Sequence, residues 1–137
     1  VDVFLHNIMA VANGSHGIAG FSMWRQAGSP QTSMRILASN NGSTWNLANV
    51  DYTVSAGSNV FSDGAWHHCA ICYTGTDFKF YWDGALVATI VGTCPAITIA
   101  YVGYDGENLR SVNGYIDEYR LSKIDTGGVV PSAAYTR

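Results

Sequence analysis

The most constraining stretch of this chain is Phe78-Lys79-Phe80-Tyr81-Trp82-Asp83-Gly84. Phe78, Phe80 and Trp82 recur at every second position, between Lys79, Tyr81 and Asp83. That is the period of a strand, which turns successive side chains to opposite faces. Asp83-Gly84 then stands between Trp82 and Ala85. A two-residue type I′ turn needs positive φ at both central residues, which Asp tolerates and Gly prefers. The stretch predicts a hairpin with its return strand over residues 85–91. Just ahead lies Trp66-His67-His68-Cys69-Ala70-Ile71-Cys72-Tyr73, free of breakers and apolar at both parities. It predicts a central strand over 66–73, and Trp66 joins Phe78, Phe80 and Trp82 among the expected core residues.

Further strand signals lie at residues 19–25, 34–38, 45–54, 97–103 and 115–121. Gly28-Ser29-Pro30, Asn40-Asn41-Gly42-Ser43, Ser62-Asp63-Gly64 and Thr74-Gly75-Thr76-Asp77 separate them as turns. Strands this closely spaced, with no helical period, read as one all-β sandwich or barrel across residues 1–137. Composition agrees. Val, Ile, Thr and the aromatics total 48 residues, against 20 Leu, Met, Gln, Glu, Lys and Arg, which excludes an all-helical fold.

Seven Lys+Arg against ten Asp+Glu leave a net charge of −3, so the basic footprint of a nucleic-acid partner is missing. Apolar runs reach no further than the length of Ile8-Met9-Ala10-Val11-Ala12, too short for membrane insertion as a helix. Cys69 and Cys72 lie three apart on the predicted strand, so their side chains oppose and cannot bridge each other. Cys94 is free to pair with either, and three small buried thiols are the plainer reading. Asn13-Gly14-Ser15 and Asn41-Gly42-Ser43 match the glycosylation acceptor pattern and equally fit Asn-Gly turns. The chain opens on strand-like Val1-Asp2-Val3-Phe4-Leu5 without an initiator Met, as a fragment or processed product would.

Three blocks carry a family resemblance. The run from Trp66 through Gly75, followed by Phe78-Lys79-Phe80-Tyr81-Trp82-Asp83-Gly84, resembles the WHHVAVTYDG…LKLYVDG run of the laminin-G-like, or concanavalin A-like, jelly-roll family. Asn113-Gly114-Tyr115-Ile116-Asp117-Glu118-Tyr119-Arg120-Leu121-Ser122-Lys123 resembles its F-x-G-x-IDEVRIS strand, and Phe21-Ser22-Met23-Trp24 its earlier FT-x-x-FW strand. The resemblance implies an antiparallel two-sheet jelly-roll sandwich. It also implies a strand ahead of Phe21, for which only residues 1–17 remain. Cys69 and Cys72 replace residues that in the family are more often Val and Thr. The closing Lys123-Ile124-Asp125 and Val130-Pro131-Ser132-Ala133-Ala134-Tyr135 resemble tails of such domains in phage and environmental bacterial proteins. That association implies an extracellular or virion-surface location.

The residues themselves argue against catalysis. Glycosidases of this fold use two carboxylates about 5–5.5 Å apart for retention, and this chain has two Glu, Glu107 and Glu118, with no Glu-x-Asp-x-Glu run. Asp117 and Glu118 are adjacent, so on a strand they face apart. His67 and His68 face apart for the same reason and read as half-buried sheet aromatics. In relatives a calcium ion ties the first strand to the last through the acidic residue matching Asp117. A single Asp does not specify the six to eight oxygens calcium takes, and a buried Asp bonded to backbone amides is the other reading.

Sugar recognition needs an aromatic face with amide, acid and guanidinium groups beside it. Tyr104, Asp105, Asn108 and Arg110 join these in one loop, and Trp45 beside Asn46 is a second candidate. The expected function is a non-catalytic recognition or adhesion module for glycan or a surface polymer. The alternative is a virion decoration or assembly protein docking on other chains of a larger particle, since low charge and many aromatics leave a surface suited to a partner.

Overall fold

The computed structural model describes residues 6–12, 20–25, 32–55, 63–94, 99–103, 115 and 116. Among the described residues all regular structure is strand: β1 (His6–Ala12), β2 (Gly20–Arg25), β3 (Ser33–Ser39), β4 (Ala48–Thr53), β5 (Cys69–Tyr73), β6 (Asp77–Trp82), β7 (Ala85–Val91) and β8 (Ile99–Val102). Every pairing is antiparallel. One sheet runs β4-β3-β2-β1-β8 and the other β5-β6-β7, the two layers expected of the sandwich. Residues ahead of Phe21 supply β1, which lies between β2 and β8. Val1 to Leu5, Asn13-Gly14-Ser15 and most of the predicted 115–121 strand lie outside the described residues.

The hairpin forms as its residues dictate. Asp83 and Gly84 sit at φ 47° and 79°, and Trp82 pairs with Ala85 across the turn. Phe78, Phe80 and Trp82 are buried and meet Met34, Ile36 and Ala38 of β3 and Ala88 and Ile90 of β7 in one cluster. Each such large side chain contributes about 1.5–3 kcal/mol of transfer free energy. The register shifts between Phe80 and Tyr81, so that Phe80 faces Ala88 and Tyr81 faces Leu86. Val87 is the extra residue of this bulge. The shift leaves Leu86 exposed while Ala88 is buried. On the other face of β3, Arg35 binds Asp51 through Nε at 2.8 Å and a second guanidinium nitrogen at 2.9 Å. That hydrogen bond chiefly raises the Arg35 pKa, against an opposing effect of burial.

Several expectations are corrected. The predicted 66–73 strand begins at Cys69, because the His67 ring and the His68 N–H are taken by the side chain of Asp83. Trp66 is 66% exposed and takes no part in the core. Among the described residues β5 pairs only with β6, and β6 occupies the centre of its sheet. All three thiols are free, as the opposed Cys69 and Cys72 vectors require, and Cys94 bridges neither. They are partly rather than fully buried. Burial, with the Asp83 charge nearby, pushes the Cys69 thiol up to about 12, which makes it a poor nucleophile.

Candidate functional site at the Asp83 end of the sandwich

Register and packing assign the candidate residues to opposite ends of the molecule. Leu47 packs on Gly92, just past β7, where an added Cβ would lie 2.4 Å from Leu47 Cδ1. The loop of residues 40–47 is therefore at the end where β7 finishes. The Asp83-Gly84 turn marks the other end, where Trp82, just ahead of it, lines one small pocket with Met34, Val54 and Val87. β8 starts opposite Ala12 and finishes opposite Met9, while β2 pairs Gly20 with Ser39 and Trp24 with Arg35. β8 thus runs away from the Trp45 loop and leaves the sheet at the Asp83 end. There Gly103, at φ 70°, accommodates Ile116, whose Cδ1 lies 2.9 Å from the position of a Cβ. Tyr115 beside it is 89% exposed.

Trp45 is half-buried on a loop that consumes its own amides. Asn41 Oδ1 accepts the Ser43 and Thr44 N–H groups at 2.9 and 3.0 Å. Asn46 Nδ2 donates to Asn40 Oδ1 at 2.7 Å and its Oδ1 accepts the Asn40 N–H at 3.2 Å. The buried Ser39 hydroxyl accepts the Asn41 and Gly42 N–H groups at 3.3 and 3.1 Å. Gly42 takes φ 68°. Asn41-Gly42 is a built turn, as its sequence implied, and its side-chain groups are largely spent within it.

The segment carrying Trp66 is held by charge. Asp83 Oδ1 accepts the His68 N–H at 2.8 Å, and the Asp83 N–H donates to the His68 carbonyl at 2.8 Å. Asp83 Oδ2 lies 2.7 Å from His67 Nδ1, and Asp63 Oδ2 lies 3.0 Å from His67 Nε2. The His67 ring stacks on Trp82, centroids 4.9 Å apart at 28°. Asp63 Oδ1 accepts the Ala65 N–H at 2.9 Å, the first cause of its lowered pKa, followed by His67. Burial works against charge on His67, but the hydrogen bonds to Asp83 and Asp63 and their attraction outweigh it, so its pKa is raised. Both carboxylates keep accepting capacity, since each offers about four lone-pair sites. His68 Nδ1 is buried without a hydrogen-bond partner among the described residues.

Of the residues predicted for recognition, Trp45 stands at the far end from this cluster. Tyr104, Asp105, Asn108 and Arg110, and Asp117 for calcium, lie outside the described residues. The strand ahead of that loop, β8, runs away from the Trp45 end of the sheet. Trp66, Asp63 and Asp83 do not stand out in the sequence as a site, because Trp66-His67-His68 has the pattern of uninterrupted strand. The usable signal was Asp83 itself: an Asp in a two-residue turn can turn its carboxylate onto the neighbouring strand end. Among the described residues no three His, Cys, Asp or Glu are grouped to hold a metal ion.

No curated protein and no solved structure matches this chain. A laminin G-type family model described as the concanavalin A-like lectin/glucanases superfamily matches residues 4–125. With two antiparallel layers and that match over most of its length, the chain belongs to the concanavalin A-like lectin/glucanase superfamily.

Proposed function

We propose that this domain is a non-catalytic recognition module that binds glycan or a surface polymer through the end of the sandwich that carries Trp66, Asp63 and Asp83. The observation that carries this reading is Trp66, two-thirds exposed on a segment locked from both sides. A large aromatic left in water on an immobilised backbone presents contact area at little ordering cost. The apolar face of a sugar ring stacks on the indole, and its hydroxyls donate to the free lone pairs of Asp63 and Asp83. Tyr104, Asp105, Asn108 and Arg110, which follow β8 in sequence, are proposed as further binding residues. Trp45 is a separate, weaker platform. A surface polymer as ligand goes with display outside the cell or on a virion surface. Isothermal titration against a panel of soluble polysaccharides, with Trp66→Ala beside the parent chain, tests the proposal. Binding that Trp66→Ala leaves unchanged sinks this site.

One observation favours docking on other chains of an assembly instead. Leu86 and Val91 are exposed on β7, the outermost strand of its sheet among the described residues. Light scattering decides it: concentration-dependent association lost in Leu86→Lys, with no polysaccharide binding, establishes docking as the function.

A further inference from the structure

We propose that His67 is a pH-operated latch: its imidazolium, bound between Asp63 and Asp83, fixes the segment that presents Trp66, and loss of its proton releases one carboxylate. The geometry requires the charge. A neutral imidazole has one N–H and one lone pair. With a carboxylate oxygen 2.7 Å from Nδ1 and another 3.0 Å from Nε2, a neutral ring would aim its lone pair at an anion. Only the cation donates to both. Among the described residues, the charged and titratable groups facing this ring are few. Asp63 comes from the turn before it and Asp83 from the β6–β7 turn, while β5 contributes Cys69, whose thiol lies within the field of Asp83. β6 contributes only the uncharged face of Trp82. The raised pKa of His67 agrees with this arrangement.

The two anchors differ in kind. Asp83 also holds the His68 backbone in both directions, so that contact outlasts the charge. Asp63 is held to the ring by one contact only, apart from its local bond to Ala65. Loss of the proton therefore frees the Asp63 side, and with it residues 63–66. Trp66 then loses its fixed attitude. The consequence for binding rests on the reading of Trp66 as a ligand platform, while the latch itself does not.

Long-range proton–nitrogen NMR of the full chain tests it without ligand. Both His67 ring nitrogens should carry hydrogen at about pH 6, and the midpoint should lie above the ordinary 6.5. The Trp66 indole signal, assigned through Trp66→Phe, should shift with the same midpoint. Asp63→Asn should move the His67 midpoint down toward 6.5 and uncouple Trp66 from it, and His67→Gln should leave Trp66 without a titration in this range. A midpoint at or below 6.5, or a Trp66 signal indifferent to it, overturns the latch. A soluble β-glucan serves as the binding probe in parallel. Coupled titration without glucan binding supports the latch and counts against the glycan reading, whereas pH-independent glucan binding with an uncoupled Trp66 does the reverse.

Discussion

The loop that carries Trp45 and the segment that carries Trp66 both immobilise an aromatic, and they do it with different chemistry. Residues 40–46 are closed by neutral amides and a hydroxyl, between partners no more than seven residues apart in sequence. Residues 63–68 are closed by a histidine between two carboxylates, one of them sixteen residues away at the end of the neighbouring strand β6. The first arrangement is local and indifferent to pH. The second depends on folding of the β6–β7 hairpin and on one proton. The difference teaches that exposure and rigidity alone do not make two platforms equivalent. Trp45 has spent its polar neighbours on its own loop, whereas Trp66 stands beside carboxylates with unused capacity.

Phe80→Ala should break both ends at once, because Phe80 is buried in the shared core. A loss of about 3–5 kcal/mol is expected in urea unfolding, the same at acid and neutral pH. Trp66→Ala should separate the ends. Polysaccharide affinity falls by about 2 kcal/mol or more, roughly thirtyfold, while stability moves within about 0.5 kcal/mol. Trp45→Ala should cost less affinity, and a reversal of that order would transfer the site to the other end.

Gly84→Val puts a β-branched residue where φ is 79° and should cost about 1 kcal/mol or more by thermal unfolding. If the latch depends on the hairpin, the same substitution lowers the His67 midpoint. Ser39→Ala removes the hydroxyl under the Trp45 loop and should cost about 1 kcal/mol, with no change in the His67 titration. The smallest effect is that of pH on the parent chain. His67 has a raised pKa in the fold, so its contribution is complete below the ordinary 6.5 and fades as pH rises through the folded midpoint. Asp63 has a lowered one, so its contribution is present above 3.8 and fades in acid. Urea midpoints should therefore decline as pH rises above 6.5 and through the folded His67 midpoint, and His67→Gln should flatten that decline.

Much of the hairpin was legible in residues 78–91, because alternation and Asp-Gly turn chemistry are local properties. The same holds for Asn40-Asn41-Gly42-Ser43, whose amides fold back on their own backbone. Trp66 was misplaced for the opposite reason. Nothing in Trp66-His67-His68 breaks a strand, and the group that diverts it, Asp83, belongs to a turn whose own sequence explains it without reference to His67. The match to the superfamily supports the fold read from the Trp66, Phe21 and Asp117 blocks, yet it leaves the binding residues open.

By itself the sequence determined the strand period, the turns with positive φ, the buried Phe78, Phe80 and Trp82, and the absence of a Cys69–Cys72 bridge. Each follows from the geometry of neighbours along the chain. That β8 leaves the sheet at the Asp83 end, that Trp66 faces water and that His67 sits between Asp63 and Asp83 emerge from the folded chain alone. Those facts depend on strand order and on which strand ends the pairing brings together. The Asp-Gly turn marks Asp83 in the sequence, but which group its carboxylate meets sixteen residues away is settled only when β5 and β6 pair.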